Sequence, residues 1–181
     1  MWFPTINISE KKYKINTNLL GVTRITKEFI PYFRKKKKGT FLTTTSVAGF
    51  VAFPIGTIYN AIKFALEGWS ESLSYELSAF NIKVKTIAPG GINTDFAGRS
   101  LDTVENSHYK EVESKMWAAF DNIVESASSA DQVAEVVYMA ATDDKDQIRY
   151  TAGEDAKAFA ERLLEIGPEN MRLEIKSQIL G

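Results

Sequence analysis

The chain has 181 residues, of which 44% are hydrophobic and 25% charged, and its formal net charge is −1 at pH 7. This length and composition predict one domain with one core, and the near-neutral charge gives no basic field for nucleic acid or an acidic membrane surface. The absence of cysteine excludes disulfides and thiolate catalysis, and with a single histidine, His108, which we interpret as a surface or lid residue, the sequence predicts no metal site.

The N-terminal residues 1–7 lack the basic start and the sustained apolar run of a secretory signal. Charged residues also interrupt every apolar window that approaches the length of a membrane span. We therefore expect a cytoplasmic protein without a transmembrane segment.

The first predicted element is a helix over 9–38, in which apolar residues recur at three- and four-residue spacing. They are Ile15, Leu19, Val22, Ile25, Phe29 and Phe33. Gly39 is expected to end this helix, and the lysine run 35–38 complements the carbonyl end of its dipole. A β-branched strand over 40–46 and an apolar loop over 47–58 should follow.

A second helix is predicted over 59–80 and a second strand over 82–88, which ends in a turn at 89–91. A helical crossover of this length makes the two strands parallel, so both carboxyl ends lie at one edge of the sheet. Ligands of open α/β sheets bind at that edge. The pattern therefore predicts an α/β fold with a ligand site formed by Ser46 and the segment 89–94.

The pattern loosens over 95–126, where bulky side chains collect. They are Phe96, Tyr109, Met116, Trp117 and Phe120. Ser129 is the expected cap of a helix that ends near Thr142, and a short last strand is predicted over 147–151. A helical tail should then begin at Gly153 and be interrupted at 167–168.

Tyr59 and Lys63 lie four residues apart on the second helix, so their side chains share a face, and Ser46 stands thirteen residues before the tyrosine. A free phenol has a pKa of about 10, and an ammonium about 4 Å away at an effective dielectric near 20 favours its ionisation by about 4 kcal/mol. Desolvation opposes this effect. We expect a net lowering of the Tyr59 pKa, which suits acid/base catalysis on a carbonyl or an alcohol.

The same spacing recurs at Tyr32 and Lys36. Here Leu19 stands thirteen residues before the tyrosine, and Lys36 belongs to the lysine run. We interpret this second pair as the solvated end of a helix and use it as an internal control.

Three segments resemble successive signatures of the short-chain dehydrogenase/reductase family. They are TTTSVAG at 43–49, YNAIKFALEG at 59–68 and IAPGGINT at 87–94. The segment NLLG at 18–21 also resembles an Asn-x-x-Gly element of that family. The resemblance runs from about residue 9 to about 162 and implies a partial Rossmann-like, doubly wound parallel sheet of about three strands.

The resemblance implies Tyr59 as the catalytic acid/base, with Lys63 lowering its pKa and donating a hydrogen bond to the nicotinamide ribose. Ser46 would polarise the substrate carbonyl. Asn18 would hold a relay water, although an asparagine at this position could simply cap or bend a helix.

The cofactor would be NAD or NADP, bound by Tyr59 and Lys63 and by the loop of Pro89, Gly90 and Thr94 beside the nicotinamide ring. Thr94 would bond to the carboxamide or the phosphates, and its alternative interpretation is an ordinary turn residue. The sequence does not indicate a choice between NAD and NADP, because the acidic or basic residue that selects between them normally follows the second strand of the family.

The chain departs from the family at its start. Its eleven glycines include no Gly-x-x-x-Gly-x-Gly and no Gly-x-Gly-x-x-Gly, so the usual cradle for a pyrophosphate is absent from the sequence. The strand 40–46 would then have an unpaired edge, which invites association. We expect either a fragment of a longer reading frame or a truncated family member that needs a partner.

Within a single domain, 1–181, the resemblance divides the chain into a catalytic core, 9–94, a substrate lid, 95–126, and a C-terminal part, 127–181. A lid implies an apolar alcohol or carbonyl substrate, whereas an ordinary helix packed on the core explains the same side chains. The resemblance also implies a homodimer, paired through the helices that begin near residues 9 and 59. Small residues on the second helix, Ala65, Gly68 and Ser72, would serve that pairing or packing inside the chain.

Three functions remain open. The first is an NAD(P)-dependent oxidoreductase that interconverts an alcohol and a carbonyl. The second is a non-catalytic binding or scaffold protein derived from the same fold, which the missing phosphate turn favours. The third is an epimerase or dehydratase with the same tyrosine and lysine chemistry, but only 92 residues follow Pro89, too few for the usual substrate domain.

Overall fold

A parallel sheet lies between two layers of helices in the computed structural model, which describes residues 8–95, 107–125 and 127–181. The strands are β1 (Gly39–Thr44), β2 (Ile82–Pro89), β3 (Ile92–Asn93), β4 (Ser128–Ser129) and β5 (Arg149–Ala152). The helices are α1 (Ile8–Ile15), α2 (Gly21–Lys36), α3 (Thr57–Ser78), α4 (Lys110–Glu125), α5 (Ala130–Thr142) and α6 (Glu154–Leu180).

The main sheet has the order β1-β2-β5, and both pairings are parallel, as the sequence predicts. Thr44 is opposite Ile87 in the first pairing, and Thr86 is opposite Arg149 in the second. β3 and β4 form a separate parallel pair. Among the residues that the structure describes, β1 therefore pairs on one side only.

Successive residues of β2 point to opposite faces of the sheet, as the pleat requires. Ile82 and Val84 pack with Leu73 and Leu77 of α3, whereas Ile87 packs with Ala140 of α5. Helices thus cover both faces of a parallel sheet, which is the doubly wound arrangement. β2 is buried along almost its whole length because it has a strand on each side and a helical layer on each face.

The predicted helix over 9–38 is divided by a π turn, Asn16–Leu20, between α1 and α2. The helix also ends earlier than expected, at Lys36. Lys37 adopts the left-handed conformation with φ 49°, and its N–H bonds to the carbonyls of Arg34 and Phe33. The prediction that Gly39 ends the helix is therefore wrong, because a lysine closes it and Gly39 is the first residue of β1.

The C-terminal elements follow the sequence signals closely. Ser129 and Gln132 form a capping box at the start of α5, with side chain and backbone bonded in both directions. α6 is kinked at Gly167, where φ is 76°, as the prediction of an interruption at 167–168 requires.

The predicted lid is described only in part. Phe96 lies outside the described residues, and exposed His108 lies in a short 3₁₀ turn, Ser107–Tyr109, ahead of α4. Met116 is buried, and the rings of Trp117 and Phe120 meet edge to face at 5.7 Å between centroids. The Lys115 ammonium donates to the carbonyl of Leu180, which joins α4 to the end of α6. Across the described ranges, none of the helices combines the length and apolarity needed to cross a bilayer.

Candidate active site

Ser46 is held at the carboxyl end of β1 by backbone bonds on both sides. The N–H of Thr45 donates to the carbonyl of Ile87 at 2.7 Å, which continues the β1–β2 ladder beyond Thr44. Ser46 then caps the 3₁₀ turn Val47–Gly49, because its Oγ accepts from the N–H of Ala48 at 3.2 Å. The hydroxyl also lies 3.4 Å from the carbonyl of Pro89, so the ends of β1 and β2 meet at this serine.

Tyr59 and Lys63 lie at the start of α3, on the side that faces this edge of the sheet. The Lys63 Nζ lies 5.6 Å from the centroid of the Tyr59 ring and donates to the carbonyl of Thr44 at 3.2 Å. The Ser46 hydroxyl lies close enough to the Tyr59 hydroxyl to lower the pKa of this phenol. Tyr59 remains 41% exposed, so a ligand can approach its ring. The structure therefore brings the three predicted residues together.

The electrostatic balance at Tyr59 differs from the sequence-based expectation. Partial burial raises the pKa of the phenol, and the neighbouring Ser46 hydroxyl acts in the opposite direction. The expected net lowering by Lys63 is therefore wrong for this structure, because desolvation of the phenolate outweighs the stabilising contacts.

The pKa of Lys63 is also shifted from its ordinary value. Partial burial lowers the pKa of its ammonium, and the negative charge of Glu67 opposes that effect. Glu67 lies one helical turn further along α3, on the same face as Lys63 and Tyr59. The sequence analysis missed this residue, although its spacing of four from Lys63 and eight from Tyr59 is a readable signal.

The control pair shows what the spacing alone provides. The Lys36 Nζ lies 5.8 Å from the ring centroid of Tyr32, nearly the same separation as in the candidate pair. Tyr32 is 57% exposed, and Leu19 takes the place that Ser46 has before Tyr59. The four-residue spacing thus places a lysine beside the tyrosine at both positions. The two positions differ because the end of β1 brings Ser46 to Tyr59.

Asn18 lies in the π turn, where its Nδ2 donates to the carbonyl of Lys14 at 3.1 Å. The turn packs against α3, since Leu19 contacts the cluster of Ile58, Ile62 and Leu66. The observed bond is the local kind that bends helices. The relay role of Asn18 stays a prediction.

The turn after β2 is fastened by a residue from α6. The N–H of Gly91 donates to Oδ2 of Asp155 at 2.7 Å, and the N–H of Gly90 donates to the carbonyl of Ala152 at 3.1 Å. A Cβ at Gly90 would lie 2.0 Å from Oδ2 of Asp155, so only glycine allows this approach. Thr94 is exposed beyond β3. The sequence contains no local signal for Asp155, because the contact joins residues 64 positions apart.

The donor set fits one half of a nicotinamide cofactor. Tyr59 and Lys63 present a hydroxyl and an ammonium side by side, and the narrow Gly90 turn lies at the same edge of the sheet. These groups would hold a nicotinamide ribose. The sequence has no glycine-rich motif that would hold the pyrophosphate.

Comparison with known proteins agrees with this geometry. A sequence model described as short chain dehydrogenase matches residues 3–105. An uncharacterized oxidoreductase of Schizosaccharomyces pombe is 32% identical over 142 residues, 77% of this chain and 59% of its own length. A 3-ketodihydrosphingosine reductase of Bacteroides thetaiotaomicron is 40% identical over 105 residues, 56% of this chain and 39% of its own length.

A solved structure of a short chain dehydrogenase from Burkholderia cenocepacia, in complex with NADP, superposes with a TM-score of 0.70 at 16% identity. The match covers 97% of this chain and 61% of that one. The chain thus spans about three fifths of the length of the Schizosaccharomyces pombe relative and of the Burkholderia cenocepacia structure.

Proposed function

The chain belongs to the short-chain dehydrogenase family, and from that premise we propose that it acts as an NAD(P)-dependent oxidoreductase that interconverts an alcohol and a carbonyl. The observation that carries this proposal is the meeting of Ser46, Tyr59 and Lys63 at the carboxyl edge of a parallel sheet. Ligands of open α/β sheets bind at this edge.

In the reducing direction, the Tyr59 hydroxyl donates its proton to the oxygen of the substrate carbonyl as that oxygen gains negative charge. The Ser46 hydroxyl donates a hydrogen bond to the same oxygen and stabilises the charge. When bound, the nicotinamide supplies the hydride that reaches the carbonyl carbon. Oxidation reverses both transfers, with Tyr59 accepting the proton of the alcohol.

Lys63 would bind the nicotinamide ribose and return a proton toward Tyr59, with Asn18 ordering a water for that relay. The raised pKa of Tyr59 favours its protonated form, which is the form required for reduction. Pro89, Gly90 and Thr94 would line the nicotinamide ring.

An apolar carbonyl compound is the substrate class that we favour. The aromatic pair on α4, Trp117 and Phe120, would face such a substrate if this segment acts as a lid. The relative from Bacteroides is a 3-ketodihydrosphingosine reductase, and its name supports a keto compound as the substrate. A homodimer through the helices that begin near residues 9 and 59 and a cytoplasmic location stay predictions.

A non-catalytic binding protein is the second candidate. It is favoured by the sequence itself, which contains no glycine-rich phosphate turn. The two candidates differ in whether a bound nucleotide is turned over.

The test combines binding with turnover. Purified chain is titrated with NADH and NADPH, followed by tryptophan fluorescence, and then screened against aliphatic and aromatic ketones. We expect Tyr59→Phe to lower kcat by about 10²–10⁴-fold, the usual contribution of a general acid. Tyr32→Phe, in the control pair, should leave kcat unchanged.

Binding without turnover in the wild type would support the scaffold candidate. Turnover that survives Tyr59→Phe would refute the assignment of the acid.

A further inference from the structure

Glu67 is a buried carboxylate that the proposed reaction does not use directly. It is 3% exposed, although it lies on a helix and belongs to a residue type that is almost never fully buried unless paired. Its Oε1 accepts from the hydroxyl of Thr45, and its Oε2 accepts from Thr86 Oγ1 at 3.1 Å and from Arg149 Nε at 2.9 Å. Three donors from outside the helix therefore converge on one side chain.

These donors come from all three strands of the main sheet. Thr45 directly follows β1, Thr86 lies on β2, and Arg149 is the first residue of β5. The guanidinium of Arg149 also lies 5.5 Å from the centroid of the Phe50 ring, in the segment after Ser46. One carboxylate thus joins α3 to β2, to β5 and to the residue that follows β1.

Two sets of contacts connect Glu67 to the proposed reacting groups. Thr45 is the residue before Ser46, so its bond to Glu67 fixes the backbone that carries the serine hydroxyl. A Cβ at Gly49 would lie 2.9 Å from the Glu67 Cγ and 3.0 Å from the Lys63 carbonyl, so the 3₁₀ turn is pressed against this part of α3.

We propose that Glu67 is a positioning residue for the proton-transfer site: its carboxylate holds Ser46 in place through Thr45 and lies one helical turn from Lys63. This inference rests on the proposed oxidoreductase function. Glu67 acts through its neighbours and has no contact with the substrate.

The effect of the Glu67 charge on the pKa of Lys63 has a defined direction. Partial burial lowers the pKa of Lys63 and Glu67 opposes it, so loss of the Glu67 charge lowers the Lys63 pKa further. Arg149 is the cation that faces Glu67 from β5, and its removal should act in the opposite direction. Tyr59 lies one turn before Lys63 on α3, while Lys83 and Lys85 of β2 pair with Asp144 and Asp143, respectively.

The experiment measures the charge of Lys63 without requiring turnover. The full chain is labelled with trace acetic anhydride from pH 6 to 11, and acetylation of the peptide that contains Lys63 is quantified by mass spectrometry. We expect Glu67→Gln to move the Lys63 labelling curve to lower pH and Arg149→Gln to move it to higher pH. Glu71→Gln, one turn further along α3 and exposed, should leave the curve in place.

Turnover supplies the second readout. We expect Glu67→Gln to lower kcat/KM by about tenfold, because a small displacement of reacting groups has an effect of at least this size. Glu67→Asp should keep the wild-type labelling curve yet lose turnover, because it retains the charge but withdraws the carboxylate from Thr45.

If Glu67 has only a structural role, Glu67→Gln and Arg149→Gln should both lower the melting temperature, and neither should move the Lys63 labelling curve. That pattern would overturn the proposal, as would equal shifts from Glu67→Gln and Glu71→Gln. If Glu67→Gln does not fold, the curves of Arg149→Gln and Glu67→Asp decide. A labelling shift in a chain that never reduces a ketone would refute the proposed function while leaving the effect of Glu67 on Lys63 established.

Discussion

At the scale of single residues, the phenol of Tyr59 is placed between opposing influences. Burial raises its pKa, while the neighbouring Ser46 hydroxyl favours the phenolate. An enzyme that must donate a proton near neutrality benefits from a protonated acid, and one that must accept it needs the opposite. In the structure, Ser46 therefore contributes to the electrostatic balance at Tyr59.

We predict that Ser46→Ala raises the pKa of Tyr59 further, because the substitution removes the contact that stabilises the phenolate. Absorbance titration at alkaline pH measures this, with the Tyr59 signal isolated by subtracting the titration of Tyr59→Phe. Ser72→Ala, at an exposed position of α3, is the control. A Tyr59 pKa that is unchanged in Ser46→Ala would contradict the prediction.

A second charged cluster lies away from the candidate site, where β2 meets the end of α5. The Lys85 side chain is 2% exposed, and its Nζ donates to Asp143 at 2.6 Å and to the carbonyl of Ala140 at 2.8 Å. The Tyr150 hydroxyl donates to the other oxygen of Asp143 at 2.8 Å. The hydrogen bond from Lys85 lowers the pKa of Asp143 to about 2.

This cluster predicts a pH dependence of stability. A depressed folded-state pKa contributes stability that is fully present above the unfolded value of 3.8 and is lost as pH falls through about 2. We expect Asp143→Asn to lower the melting temperature at pH 7, because Lys85 loses its counter-charge, and to flatten the melting temperature between pH 4 and 2. Asp146→Asn, at an exposed position, should match the wild type in thermal scans.

At the scale of elements, the site depends on how closely the turn after β1 approaches α3. Gly49 makes that approach possible, since a side chain there would meet the Glu67 Cγ and the Lys63 carbonyl. Helix α3 brings Tyr59 and Lys63, and the turn brings Ser46. Their meeting is therefore set by the packing of two elements against each other.

We predict that Gly49→Ala destabilises the chain by about 1–3 kcal/mol, the range for overpacking a tight contact, and lowers turnover by moving Ser46. Gly68→Ala on α3 is the matched control, because a Cβ at Gly68 meets nothing within 4 Å. It should stabilise the chain by roughly 0.5–1 kcal/mol through helix propensity. Urea unfolding measures both, and equal effects of the two alanines would contradict the account.

At the scale of the whole molecule, the main sheet is unevenly supported. β2 has neighbours on both sides, while β1 pairs only with β2 among the described residues. An edge of β-branched and apolar residues exposes backbone groups that can pair with another strand.

We predict that this edge governs association. Amide hydrogens of β1 should exchange faster than those of β2 at low protein concentration, and their protection should rise with concentration as edges pair. Sedimentation should show species heavier than the 20.2 kDa chain. A monodisperse, protease-resistant monomer with equal protection in both strands would refute the prediction.

The sequence by itself determined the α/β class, the parallel sheet and the order of its elements, because periodicity, caps and turn residues act over a few positions. Ser129 and Gly167 show this, since each is a local signal with a local result. The grouping of Ser46, Tyr59 and Lys63 was also readable, because the three family signatures occur in order along the chain.

Only the tertiary structure decided the surroundings of the Tyr59–Lys63 pair and the electrostatic balance there. Tyr32 and Tyr59 have the same lysine geometry, and they differ through Ser46, which is delivered by another strand end. The joining of Glu67 to three strands and of Asp155 to the Gly90 turn likewise depends on distant segments. Burial and long-range contacts set these properties, and neither is encoded in the local pattern around a residue.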